Sequence, residues 1–159
     1  MRAAALLQAL ACVTALAPTA SSLPHSRRAV INHDAVVGFP EAVPSGAKGE
    51  LYLKHKPYLK VSNGCVPFPA VQENGDTNGG LEPSGSPNGD CSSNSGQIYA
   101  RATEYGSSYT IMYAWYMPKD SPASGMGHRH DWEHAIIWLS GADASAIVQR
   151  NCRVTARRT

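Results

Sequence analysis

The stretch GHRHDWEH at residues 127–134 places three histidines, an arginine and two carboxylates in eight positions, directly before an apolar run. Side chains alternate along a strand, so Asp131 and Glu133 would project to one face, while Trp132, His134, Ile136 and Trp138 project to the other. Two like charges held that close repel each other unless a cation or a shared proton compensates. His128 sits three residues before Asp131 in a glycine-flanked turn and can swing its imidazole toward them. Asp120 can join from the preceding strand end, because PKDSPASGMG at 118–127 is a turn-rich connection that can bring it back beside His128.

Asp120, His128, Asp131 and Glu133 together suit a hard or borderline divalent ion such as Mg²⁺, Ca²⁺ or Mn²⁺ better than a structural zinc, which favours thiolates. His130 is then a supporting or ligand-facing group, and Arg129 a partner for a carboxylate. A solvated cluster of charged side chains at a strand end is the plainer alternative.

Two strands must position this cluster. YTIMYAWYM at 109–117 is rich in aromatic and β-branched residues and ends at Pro118, which cannot continue a central ladder. Its Tyr113, Trp115 and Tyr116 read as core and strand-pairing residues sooner than as a platform for stacking sugars. WEHAIIWL at 132–139 is apolar on both faces beyond His134, as befits a strand under a covering layer. Upstream, residues 29–61 alternate short apolar pieces with turn formers, which predicts short strands and one helical turn near 42–51. Residues 71–97 are dominated by Gly, Asn, Ser, Pro and Asp and read as a long surface loop. A bridge between Cys65 and Cys91 would tie that loop down by closing a ring of roughly 26 residues, worth about 3.5 kcal/mol on the chain-entropy model; two free thiols are the alternative.

The chain has 159 residues, of which 43% are hydrophobic and 16% charged, a composition that fits one globular domain. At the N-terminus, Arg2 precedes an apolar run from Ala3 to Ala17 that is too short to span a bilayer, followed by small residues. This predicts a secretory signal peptide over 1–22, with no transmembrane segment in the remainder. Removal of Cys12 with that segment leaves Cys65, Cys91 and Cys152, an odd number for an oxidising compartment. Residues 21–149 carry nine Lys and Arg against twelve Asp and Glu, a net of −3, whereas 150–159 adds four arginines. The overall charge of +2 therefore comes from Arg2 and the tail rather than from a basic stripe, which argues against nucleic-acid binding.

TIMYAWYMPKDSPASGMGHRHDWE, 110–133, resembles the necrosis- and ethylene-inducing-protein-like (NLP) family, cytolysins secreted by plant-associated oomycetes, fungi and bacteria. The strand segment, the PKDSP turn and the GHRHDWE heptapeptide occur in the family's order, and SNGCVPFPAV with NGDC resembles its upstream disulfide region. The similarity runs from about Ile31 to Leu139, so residues 23–139 read as a partial family domain.

The resemblance implies a mainly β protein, a single-domain sandwich of antiparallel sheets with flanking helices, that is not an enzyme. It further implies a Mg²⁺ or Ca²⁺ ion on residues matching Asp120, His128, Asp131 and Glu133. Two plant partners follow from it: the glycosylinositol phosphorylceramide headgroup of plasma-membrane sphingolipids, and a pattern-recognition receptor that perceives the segment 110–129.

Residues 140–159 carry no recognisable strand or family motif on this reading. They read as an atypical tail, either the product of a frameshift or splice error or a genuine basic extension. The strand at 132–139 would then lack a partner, with an edge open to aggregation, and the chain is expected to be weakly cytolytic or inactive. A metal-dependent hydrolase or lyase acting on plant wall polysaccharide, and a non-toxic secreted elicitor, are the competing readings.

Overall fold

A computed structural model describes residues 28–154. The expected signal peptide at 1–22 and the last five residues lie outside the described part. The chain runs β1 (Val30–Ile31), α1 (Ala47–Lys54), β2 (Thr77–Asn78), β3 (Ile98–Tyr105), β4 (Ser108–Ala123), β5 (Met126–Leu139) and β6 (Val148–Val154). The last four strands form one antiparallel sheet in sequence order, and β1 pairs with β2 in parallel. The fold is mainly β, as the sequence predicts. Among the described residues, no helix is long and apolar enough to cross a membrane.

Period-two patterning in β4 explains how the sheet finds its core. Tyr109, Ile111, Tyr113, Trp115 and Met117 are buried on one face, against Leu51 of α1, Phe68 and the cystine. Tyr113 is fully enclosed and donates its hydroxyl to the Tyr52 carbonyl at 2.8 Å, tying the helix to the sheet. That burial raises the phenol's pKa, as expected for a group that cannot ionise in a dry core.

The helix starts five residues later than the sequence suggests. Pro44 and Gly46 delay it, with Gly46 at φ 77° as the N-cap residue. Gly49 is then required, because a Cβ there would lie 1.7 Å from the Pro44 carbonyl oxygen.

Cys65 and Cys91 form the expected disulfide, with Cα atoms 4.8 Å apart. The segment between them is more ordered than its composition suggests. Asn78 of β2 is buried, and its amide donates to the carbonyls of His33 and Pro69 at 3.0 and 2.9 Å. Asp76 accepts from the Ala29 amide at 2.8 Å and orients Asn74, which holds its carboxyl below the usual carboxylate range. Polar residues in this loop replace a ladder with side-chain bonds to backbone, which is why propensity alone missed the order.

The reading of the tail needs correction. Residues 148–154 form β6, which pairs with β5 through Trp138 opposite Arg150 and Leu139 opposite Val148. The connection SGADASAI is a tight turn. Asp143 accepts from the Ser145 amide at 2.8 Å, and the Ser140 amide donates to the Ile147 carbonyl at 3.0 Å. Strand β5 is therefore an inner strand, and the expected bare edge on it does not exist. Polar and basic residues on β6 suit an outermost strand, whose charges discourage further pairing, and it was this composition that disguised it as a tail.

Candidate functional site

The hairpin of β4 and β5 carries the whole cluster. Its register sets Asp120 opposite His128, Lys119 opposite Arg129, Met117 opposite Asp131 and Trp115 opposite Glu133. Asp120 is thus a strand residue facing His128 directly, rather than a group at a strand end. Glycine makes the approach possible: Gly127 has φ 105°, and a Cβ there would lie 2.0 Å from the Asp120 carbonyl oxygen.

Asp120, Asp131 and Glu133 line one pocket of about 350 Å³ together with Met117 and Lys119. Its opposite wall is the segment 59–65, which ends at the bridged Cys65. Burial raises the Asp131 carboxyl above its ordinary range, and the charge of Asp120 raises it further; the Trp132 amide and His128 act in the opposite direction. This is the electrostatic signature of two carboxylates pressed into one partly dry space without a full counter-charge.

His128 is exposed beside this pocket. Its Nδ1 lies 2.9 Å from the His130 carbonyl, an acceptor only, so Nδ1 carries the proton. In the neutral ring the Nε2 lone pair is then the one available to a cation, an arrangement common among ligating histidines.

Among the described residues, no group of three or more His, Cys, Asp or Glu side chains converges closely enough to hold an ion as it stands. The donor set nevertheless fits a hard divalent cation in kind, with three carboxylates and an imidazole whose second nitrogen is already oriented.

His130 and Arg129 turn away from the pocket. His130, at φ 61°, shares a 2.7 Å bond between its Nδ1 and the Tyr116 hydroxyl. That hydroxyl also donates to Asn78 Oδ1 at 3.1 Å. Burial, aided by the neighbouring Arg129, lowers the His130 pKa, so this ring favours the neutral form that the network uses. Arg129 pairs with the carboxylate of Glu82 and donates to the Gly79 carbonyl at 2.8 Å. Its partner is therefore a loop carboxylate, and none of the pocket acids.

Lys119 was not anticipated. It is 4% exposed, and its ammonium donates to the Ser84 and Ser86 carbonyls at 3.0 and 3.2 Å. These bonds engage the charge outside the carboxylate cluster while strapping the loop to the hairpin. Its place in strand alternation, on the buried face two residues after Met117, was the signal that could have found it.

With this geometry in hand, comparison with known proteins is specific. A family profile for necrosis-inducing proteins (NPP1) matches residues 49–157, through β6 and well past Leu139, where the sequence similarity had been placed. Necrosis-inducing protein NPP1 of Phytophthora nicotianae is 46% identical over 80% of this chain and 54% of its own length.

Two solved structures superimpose closely. One, described as a toxin fold serving as the basis for microbial attack and plant defense, has a TM-score of 0.76 and 50% identity, covering 80% of this chain and 60% of that one. The other, NLPPya in complex with mannosamine, has a TM-score of 0.73 and 50% identity, covering 79% of this chain and 58% of that one. The chain thus spans little more than half the length of the relatives it matches. It belongs to the NPP1 family of necrosis-inducing proteins.

Proposed function

We propose that this chain is a secreted necrosis-inducing effector that recognises the sugar headgroup of plant plasma-membrane glycosylinositol phosphorylceramide through a divalent cation, Mg²⁺ or Ca²⁺. Asp120, Asp131, Glu133 and Nε2 of His128 would hold the ion. A bound cation supplies exchangeable oxygen coordination, which sugar hydroxyls can enter in place of water. The observation that carries the reading is the pocket lined by three carboxylates, in which Asp131 is raised by burial and by Asp120. The mannosamine complex of the similar NLPPya supports a carbohydrate as the partner.

The chain's own residues do the positioning. The disulfide-tethered segment 59–65 walls the pocket and restricts water, and the Tyr116–His130–Asn78 network fixes the hairpin that presents the acids. Action by binding, rather than by turnover, separates this reading from a wall-degrading hydrolase.

The receptor-perceived segment 110–129 coincides with β4 and the start of β5, where Ile111, Tyr113 and Trp115 are buried. A plant receptor would therefore read it as a peptide released from the fold. The test of the membrane role is dye leakage from vesicles containing the sphingolipid, with and without chelator. Leakage that needs both the lipid and the cation, and falls at least tenfold in Asp131→Ala, is expected. Lipid-independent or chelator-insensitive leakage would overturn it, and sugar release from pectin without leakage would favour the hydrolase.

A further inference from the structure

Four asparagines in this chain are followed directly by glycine: Asn63, Asn74, Asn78 and Asn88. An asparagine loses its amide when the backbone nitrogen of the next residue attacks the side-chain carbonyl carbon, and a glycine in that next place leaves the approach unhindered. The attack needs a backbone N–H that is not committed to another acceptor and a carboxamide within its reach.

Three of the four pairs are locked. The amides of Gly75, Gly79 and Gly89 donate to the main-chain carbonyls of Gln72, Ile31 and Ser86 at 2.9, 2.8 and 3.0 Å. Two of the carboxamides are held as well: Asn78 is buried and donates to the His33 and Pro69 carbonyls, while Asn74 donates to the Asp76 carboxylate and accepts from the Asp76 amide. Asn63 differs. Its side chain is exposed, and the Gly64 amide donates to its Oδ1 at 3.0 Å, so the nucleophilic nitrogen and the target carboxamide already meet. Gly64 has φ 93°, and a Cβ there would touch nothing within 4 Å, which leaves room for a five-membered ring to close.

We propose that Asn63 is the site at which the folded chain deamidates spontaneously, and that the change adds a fourth carboxylate to the pocket of Asp120, Asp131 and Glu133, whose wall Asn63 helps to form. The Gly64 nitrogen gives its proton to hydroxide and bonds to Cγ of Asn63. The bond from Cγ to the side-chain nitrogen breaks, and ammonia leaves with a proton taken from water. Water then opens the cyclic imide at either carbonyl, which gives aspartate or isoaspartate. The second product also lengthens the main chain two residues before the bridged Cys65, in the segment that walls the pocket.

The consequence for binding rests on the reading of this pocket as a cation site. One more charged oxygen near a hard divalent ion strengthens the hold on it, since affinity follows the charge of the ligand set. The pocket would then change its charge with the age of the protein.

Peptide mapping by mass spectrometry, on the disulfide-bonded chain incubated at mildly alkaline pH, tests the chemistry without any cation. Conversion at Asn63 should outrun each of the other three pairs by about tenfold or more, whereas the same chain reduced and unfolded in urea should convert at all four. Asn63→Gln should remove the fast conversion and leave the slow ones. An Asn63 rate in the folded chain no higher than that of Asn74, Asn78 or Asn88 would overturn the proposal. Calorimetry with Ca²⁺ then compares Asn63→Asp with the parent, and about threefold tighter binding in the variant is expected. Equal or weaker binding would overturn the added-charge step. Absence of binding in both proteins would overturn the cation reading instead, and the mass measurement would still decide the chemistry at Asn63.

Discussion

At the residue scale, Asp131 compromises stability in the chain without metal. Asp131 has a raised pKa in the folded state, so between the ordinary carboxylate value and that raised value the native chain binds more protons than the unfolded one, and stability falls as pH rises through that window. Asp131→Asn removes the penalty. It should stabilise the metal-free protein at neutral pH by a few tenths of a kcal/mol after solvent screening, and flatten the decline in Tm between acidic and neutral pH. Thermal melts of both proteins in chelator across that range check this; a variant less stable than the parent would contradict it.

The i and i+2 spacing of Asp131 and Glu133 made their shared face legible, and the turn-rich 118–127 stretch made Asp120 a neighbour of His128. The roles of His130 and Arg129 were not legible. Arg129's partners Gly79 and Glu82, and the Asn78 that His130 reaches through Tyr116, lie some fifty residues earlier, in a loop whose composition signals turns and says nothing about what it touches.

At the scale of elements, the pocket depends on parts remote from it in sequence. The Cys65–Cys91 bridge anchors the segment 59–65 that walls the acids, so Cys65→Ser with Cys91→Ser should cost about 3 kcal/mol of stability. It should also loosen the pocket wall, seen as faster amide exchange over 59–65; unchanged exchange would show that the wall holds without the bridge.

Strand β6 provides a second case. Ending the chain after Ser140 removes the partner of β5 and leaves a long aromatic strand with an open edge, which predicts aggregation during expression. Soluble, folded protein from that truncation would refute the assignment of β6 as a protecting strand. Aromatic and β-branched runs announced β4 and β5 plainly. Strand β6 stayed hidden because its arginines and asparagine match a solvated tail as readily as an edge, and only pairing with β5 decides between them.

At the scale of the whole molecule, the pleat of the sheet separates the carboxylate pocket from the half-exposed aromatics. Acids and core residues share one face, and the half-exposed aromatics share the other. The family match runs from residue 49 through the β4–β5 hairpin and β6, while the chain corresponds to 54% of the Phytophthora nicotianae relative and 60% of the solved toxin fold. What it can do alone therefore turns on whether the pocket works in this span.

Calorimetric titration of the chelator-treated chain with Ca²⁺ and with Mg²⁺, beside Asp131→Ala, addresses that question most directly. The account predicts binding of one ion per chain in the parent and at least a tenfold loss in the variant. No measurable binding of either ion, or equal binding in both proteins, would contradict it.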